Sequence, residues 1–138
     1  MYQTMKINNW ILEVNTEETK KQYLKEWDLC DCLYCHNFYQ ATKSLAEAEL
    51  QFFKQFGINP SKCNHISHFD SQENGLHLYI GCYHIVGKVS AETITIDGAI
   101  KIGNSLTACF SNDLEFVPDG FTKPVLQIDF ELELPWVL

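Results

Sequence analysis

Leu126, Ile128, Phe130, Leu132 and Leu134 alternate with Gln127, Asp129, Glu131 and Glu133 near the end of this chain. Successive side chains of a strand point to opposite faces, so this run commits the chain to a sheet with one apolar face and one polar face. An apolar sheet face has to be buried against another layer. The rest of the sequence shows what supplies that layer.

Further strands flank this run. Leu76 to Val89 is apolar on both alternating sets and reads as a central strand, with a bulge expected at Gly81. Thr93 to Ile96 faces Ala99 to Ile102 across Asp97-Gly98, a two-residue hairpin signal. Leu106, Ala108 and Phe110 alternate with Thr107 and Cys109; Ser111-Asn112-Asp113 breaks that strand and Leu114 to Val117 resumes it. Trp10 to Val14 is a short strand near the N-terminus, and Trp136-Val137-Leu138 is an apolar tail expected to dock.

The helices come first in the chain. Asn15 or Thr16 caps a segment with Glu17 and Glu18 early and Lys20, Lys21 and Lys25 late, which suits the helix dipole over 16–27. A second helix starts near Asp28 or Asp31, whose carboxylates can accept from the unpaired first amides. Ser44-Leu45-Ala46-Glu47 matches a capping box, so a third helix begins at Leu45 with Leu45, Ala48, Phe52 and Phe56 as its buried stripe. Gly57 ends it in a left-handed conformation. Residues 59–74 are the least structured stretch. The expected architecture is a single α+β domain, with N-terminal helices packed on a mostly antiparallel C-terminal sheet of four to six strands.

Two short stretches carry the chemistry. Cys30-Asp31-Cys32-Leu33-Tyr34-Cys35-His36 reads C-x-C-x-x-C, and Cys63-Asn64-His65-Ile66-Ser67-His68 reads C-x-H-x-x-H. Zinc takes four thiolate or imidazole ligands in a tetrahedron, paired at spacings of about two to four residues. Cys32, Cys35, Cys63 and His65 or His68 therefore form a candidate structural zinc site, with Cys30 and His36 as alternates. The competing explanation is that the cysteines are small buried hydrophobes. A thiol-redox protein or Cys-dependent enzyme using Cys32 and Cys35 is the other functional reading. A polar helix in place of a core strand ahead of the motif, and the opposing charges of Asp28 and Asp31, argue against it.

Other groupings are weaker. Cys82 and His84 share a strand face but stand loosely for a nucleophile and its base. Asp129, Glu131 and Glu133 have the spacing of a general acid–base pair or a hard-cation site, and also that of an ordinary wet strand face. The chain has 138 residues, 46% of them hydrophobic, a net charge of -8, ten Lys and no Arg. An acidic chain lacking the planar guanidinium fork is a poor nucleic-acid binder. The acidic face at Asp129, Glu131 and Glu133 is the surface on which a protein partner is expected. With no run of about 18 apolar residues and no secretory signal, a cytoplasmic protein without a membrane span is expected. In that compartment the six cysteines are free thiols or ligands, not a disulfide framework.

Leu29 to Ala41 and the ending from Pro124 to Leu138 resemble small bacterial proteins with a C-x-C-x-x-C-x-N-F/Y motif and a Pro-Trp-Val-Leu terminus. The resemblance implies no activity and transfers no catalytic residue. The leading expectation is a non-enzymatic binding or interaction domain.

Overall fold

A computed structural model of the chain describes residues 1–71, 74–93 and 98–138. It is α+β, and its elements in order are β1 (Gln3–Ile7), β2 (Trp10–Val14), α1 (Thr16–Leu24), α2 (Leu33–Ala41), α3 (Glu47–Phe56), β3 (His65–Ser71), β4 (His77–Val89), β5 (Ile100–Ile102), β6 (Leu106–Ser111) and β7 (Val125–Leu134). The seven strands among the described residues form one sheet in the order β1-β2-β4-β7-β6-β5, with β3 paired to β4 off that path. Every pairing is antiparallel. Seven strands exceed the expected four to six because β1 and β3 were not legible. β1 is a mostly exposed strand joined to β2 by a two-residue turn, with Asn8 at φ 52°. The segment expected to be least structured supplies β3. The expected strand at 93–96 and its Asp97-Gly98 turn lie largely outside the described residues; its partner at Ile100–Ile102 is β5, paired to β6. No strand resumes at Leu114 to Val117.

β4 is the axis of the sheet. From His77 to Val86 it pairs with β7, and its other edge is shared: β3 takes Cys82 back to His77, and β2 takes Gly87 to Val89. Between the two, α1 closes the gap with side chains. The Tyr23 hydroxyl donates to the His84 carbonyl at 2.9 Å and accepts from the His84 amide at 3.1 Å. Thr19 Oγ1 accepts from the Val86 amide at 2.9 Å. Both residues are buried, so the exposed edge of a central strand is satisfied without a strand partner.

The helices cover one face of the sheet. Tyr79, Tyr83 and Ile85 of β4 and Leu126, Ile128, Phe130, Leu132 and Leu134 of β7 meet Phe38 of α2 and Phe52, Phe53 and Phe56 of α3 in one apolar cluster. Phe53 lies against Tyr83, and Phe38 against Tyr79 and Phe130. Gly81 sits in this row for proximity, not as the expected bulge. A Cβ there would lie 2.3 Å from the His65 carbonyl oxygen, and the register runs unbroken through it. The irregularity falls instead at Phe69/Ser71.

Helix ends differ from expectation for local reasons. α1 stops at Leu24, with Asn15 as the N-cap accepting from the Glu18 amide. Ser44 caps nothing, because α2 runs on into a 3-10 turn at Thr42–Ser44. α3 instead starts after Ala46, with no side-chain cap, and buries Glu49, Phe52, Phe53 and Phe56 while Ala48 is exposed. Gly57 does close it in the left-handed conformation, φ 83°. Among the described residues no helix is long and apolar enough to cross a membrane.

Candidate metal centre

The second helix begins on a sulfur. Cys32 is the N-cap of α2, with extended φ −78° and ψ 163°, and its Sγ accepts from the Cys35 amide at 3.4 Å. Neither Asp28 nor Asp31 takes that role. Asp31 turns away and pairs with His36 Nε2 at 2.6 Å. About two turns into the helix, the Tyr39 hydroxyl donates to the Cys30 carbonyl at 2.9 Å and ties the preceding loop back onto α2.

The result is a group of three thiols. The sulfurs of Cys30, Cys32 and Cys35 all lie within 4.8 Å of one another, with Cys30 and Cys32 exposed and Cys35 buried. Sulfurs bound to one tetrahedral zinc at about 2.3 Å stand about 3.8 Å apart, so this cluster is of the right size for one ion. Thiolates also suit Cu(I). Their environments differ. The Cys35 amide is the main cause that holds the Cys32 thiol below its ordinary value; burial opposes it, and hydrogen bonds with the Cys35 and Cys30 thiols add to the lowering. Burial pushes Cys35 up, and its hydrogen bond to Cys32 adds to that. Of Cys32 and Cys35, the easier thiolate to form is therefore the exposed Cys32.

No protein-family model matches this chain, nor does any curated protein or solved structure.

The second Cys/His stretch does meet the first. Tyr34 of α2 stacks on His68 of β3, ring centroids 4.2 Å apart. A cleft of about 370 Å³ beside the thiols is lined by Cys32, Cys35 and Tyr34 on one side and Ile66, His68, Asp70 and Tyr79 on the other. His68 Nε2 also lies 2.8 Å from His77 Nδ1. Burial, then the neighbouring His77, lowers the His68 pKa.

The rest of the sequence-derived set is dispersed. His65 and His68 are three apart on a strand and therefore face opposite sides of the sheet. His65 stacks on Phe116, centroids 3.8 Å apart, on the face away from the helices. Cys63 is buried, and its thiol donates to the carbonyls of His65 and Cys82 at 3.2 Å each. Among the described residues the only group of three ligands is Cys30, Cys32 and Cys35, so the alternate Cys30 joins it while Cys63 does not.

The remaining sequence groupings resolve into packing. Cys82 and His84 are both buried. They point at one carbonyl, Glu115, at 3.6 Å and 2.9 Å, and His84 Nε2 also reaches Gln127 Oε1. The polar face of β7 is wet for only part of its length. Gln127 is buried beneath residues 112–121, Asp129 accepts from Gln127 at 2.7 Å and is half-buried like Glu133, and Glu131 alone of the three acids is exposed. His77, missed as a partner of His68, carried one signal: with Tyr79 it falls on the helix-facing set of β4.

Proposed function

We propose that this chain is a non-enzymatic metal-binding domain that holds a soft cation, zinc in the first instance, through Cys30, Cys32 and Cys35. The observation that carries the reading is the approach of three sulfurs to within 4.8 Å, two of them exposed, at the start of a helix anchored to the core by Phe38. A thiolate capped by a backbone amide is already oriented as a ligand. The fourth position would be open to water or to a donor from the cleft, and His68 is the sequence-derived histidine that lines it. In this reading the acidic row Asp129, Glu131 and Glu133 is where a basic protein partner docks.

The test is elemental analysis of protein purified without a histidine tag or chelator. About one zinc per chain is expected, lost in Cys32→Ser and Cys35→Ser. Cobalt substitution of the parent should give the intense thiolate charge-transfer bands of a cysteine-ligated ion. A metal content unchanged by all three single Cys→Ser substitutions at 30, 32 and 35 would sink the proposal.

A further inference from the structure

The same cluster has an asymmetry that metal binding does not require. Cys32 is exposed at the rim of the cleft, and Cys35, one helical turn on, is buried with 6% of its surface exposed. Their sulfurs lie within 4.8 Å. A disulfide needs about 2.05 Å, an approach that rotation of the exposed Cys32 side chain can supply. The first turn of α2 keeps positions three apart on one side, so the pair stays aligned. Beside it the cleft of about 370 Å³ offers the apolar walls of Tyr34, Ile66 and Tyr79 with the polar His68, room for a small sulfur compound.

We propose that Cys32 and Cys35 act as a dithiol that exchanges with a disulfide substrate, Cys32 attacking and Cys35 resolving. The Cys32 thiolate attacks one substrate sulfur. An S–S bond forms to Cys32 as the substrate S–S bond breaks, and the departing thiolate takes a proton from water. Cys35 then gives its proton to water and attacks Cys32 Sγ, expelling the second substrate thiolate, which is protonated in turn. The substrate disulfide gains two electrons and two protons; the Cys32–Cys35 pair loses them. The two roles follow from access. A bulky disulfide reaches the exposed Cys32 from solvent more readily than the buried Cys35, which lies within 4.8 Å of the Cys32 sulfur. Cys30 remains a thiol throughout. This chemistry shares residues with the metal reading but does not depend on it, and a bound ion would block it.

The experiment uses the full chain, reduced and freed of metal, equilibrated with glutathione disulfide and glutathione, quenched by alkylation and mapped by mass spectrometry. A Cys32–Cys35 disulfide that reverts when glutathione is raised is expected. Cys35→Ser should accumulate glutathione on Cys32, and Cys32→Ser should leave Cys35 reduced, with circular dichroism confirming that each variant folds. A disulfide involving Cys30, an intermolecular disulfide, or a Cys35→Ser variant that stays unmodified overturns the proposal. Loading the parent with zinc separates the two readings. Zinc that binds and suppresses the exchange supports both, whereas exchange in protein that takes up no zinc removes the metal reading alone.

Discussion

At the scale of single residues, the informative substitution is at Cys32, because that sulfur is both a ligand and a helix cap. Serine is among the better N-caps, whereas sulfur is a weak acceptor. Cys32→Ser should therefore lower metal binding while leaving the metal-free fold as stable as the parent, within about 0.5 kcal/mol. Urea unfolding in the presence of chelator measures this. A loss of several kcal/mol would mean that the thiol has a structural role not explained by its single amide contact. Cys35 differs, since its side chain is buried and serine would place a hydroxyl there. Of the two variants, Cys32→Ser is thus the cleaner probe of metal. Gly81 is a second residue-scale case. Any Cβ there meets the His65 carbonyl at 2.3 Å, which is backbone and cannot move aside cheaply. Gly81→Ala should cost about 2 kcal/mol or more and loosen β3, seen as faster amide exchange across His65–Phe69. Unchanged exchange there would refute the close-approach explanation.

At the scale of elements, the junction of α1 with β4 has the clearest consequence. Thr19 and Tyr23 supply the hydrogen bonds that a neighbouring strand would otherwise make to His84 and Val86. Removing either hydroxyl strands a buried backbone group. Tyr23→Phe and Thr19→Val should each destabilise by about 1–3 kcal/mol in chemical denaturation. The two sites act on adjacent segments of one edge, so the double variant should be less than additive. Full additivity with small single effects would indicate that water replaces both hydroxyls. The same junction explains why helix 16–27 was expected too long. Lys25 to Trp27 lie beyond the last turn that α1 needs to reach β4, and Lys25 is already extended at φ −69°, ψ 156°.

At the scale of the whole molecule, His68 and His84, the two sheet histidines whose pKa is lowered, set the pH response. His84 is buried, and its Nε2 faces two acceptors, the Glu115 carbonyl and Gln127 Oε1, which places the neutral ring's proton on that nitrogen. Burial lowers its pKa, and burial with His77 lowers that of His68. A histidine whose folded pKa is depressed binds fewer protons folded than unfolded at acid pH, so stability rises with pH there. Its contribution is neutral above the ordinary histidine value of about 6.5 and becomes a penalty as pH falls below it. Thermal stability should therefore be flat from neutral pH upward on this account and fall below about pH 6.5. The fall should be shallower in His68→Asn. A profile that rises on acidification across that window would contradict the assignment. Net charge of -8 acts in the opposite sense, since acidification relieves self-repulsion, so the histidine variant is the control that isolates the effect.

Local patterning alone determined the class of this molecule. Alternation in β7 and β6, the apolar length of β4 and the amphipathic run ending at Gly57 follow from side-chain periodicity, which a sequence displays directly. It also determined that Cys30, Cys32 and Cys35 are close, because a spacing of two and three residues leaves little room to be otherwise. Tertiary structure decided the rest. β3 has no alternating apolar face to announce it and becomes a strand through the unpaired edge of β4. That pairing sends His65 and His68 to opposite faces and so disperses a ligand set that looked plausible on a loop. It also lays His68 against Tyr34, bringing the second Cys/His stretch to the rim of the thiol cluster without Cys63. The wet face of β7 is partly buried because residues 112–121 fold back over Gln127, a long-range contact with no local signature. Periodicity is a property of neighbours in sequence; the cleft, the dispersed ligands and the closed edge of β4 depend on contacts between segments far apart in it.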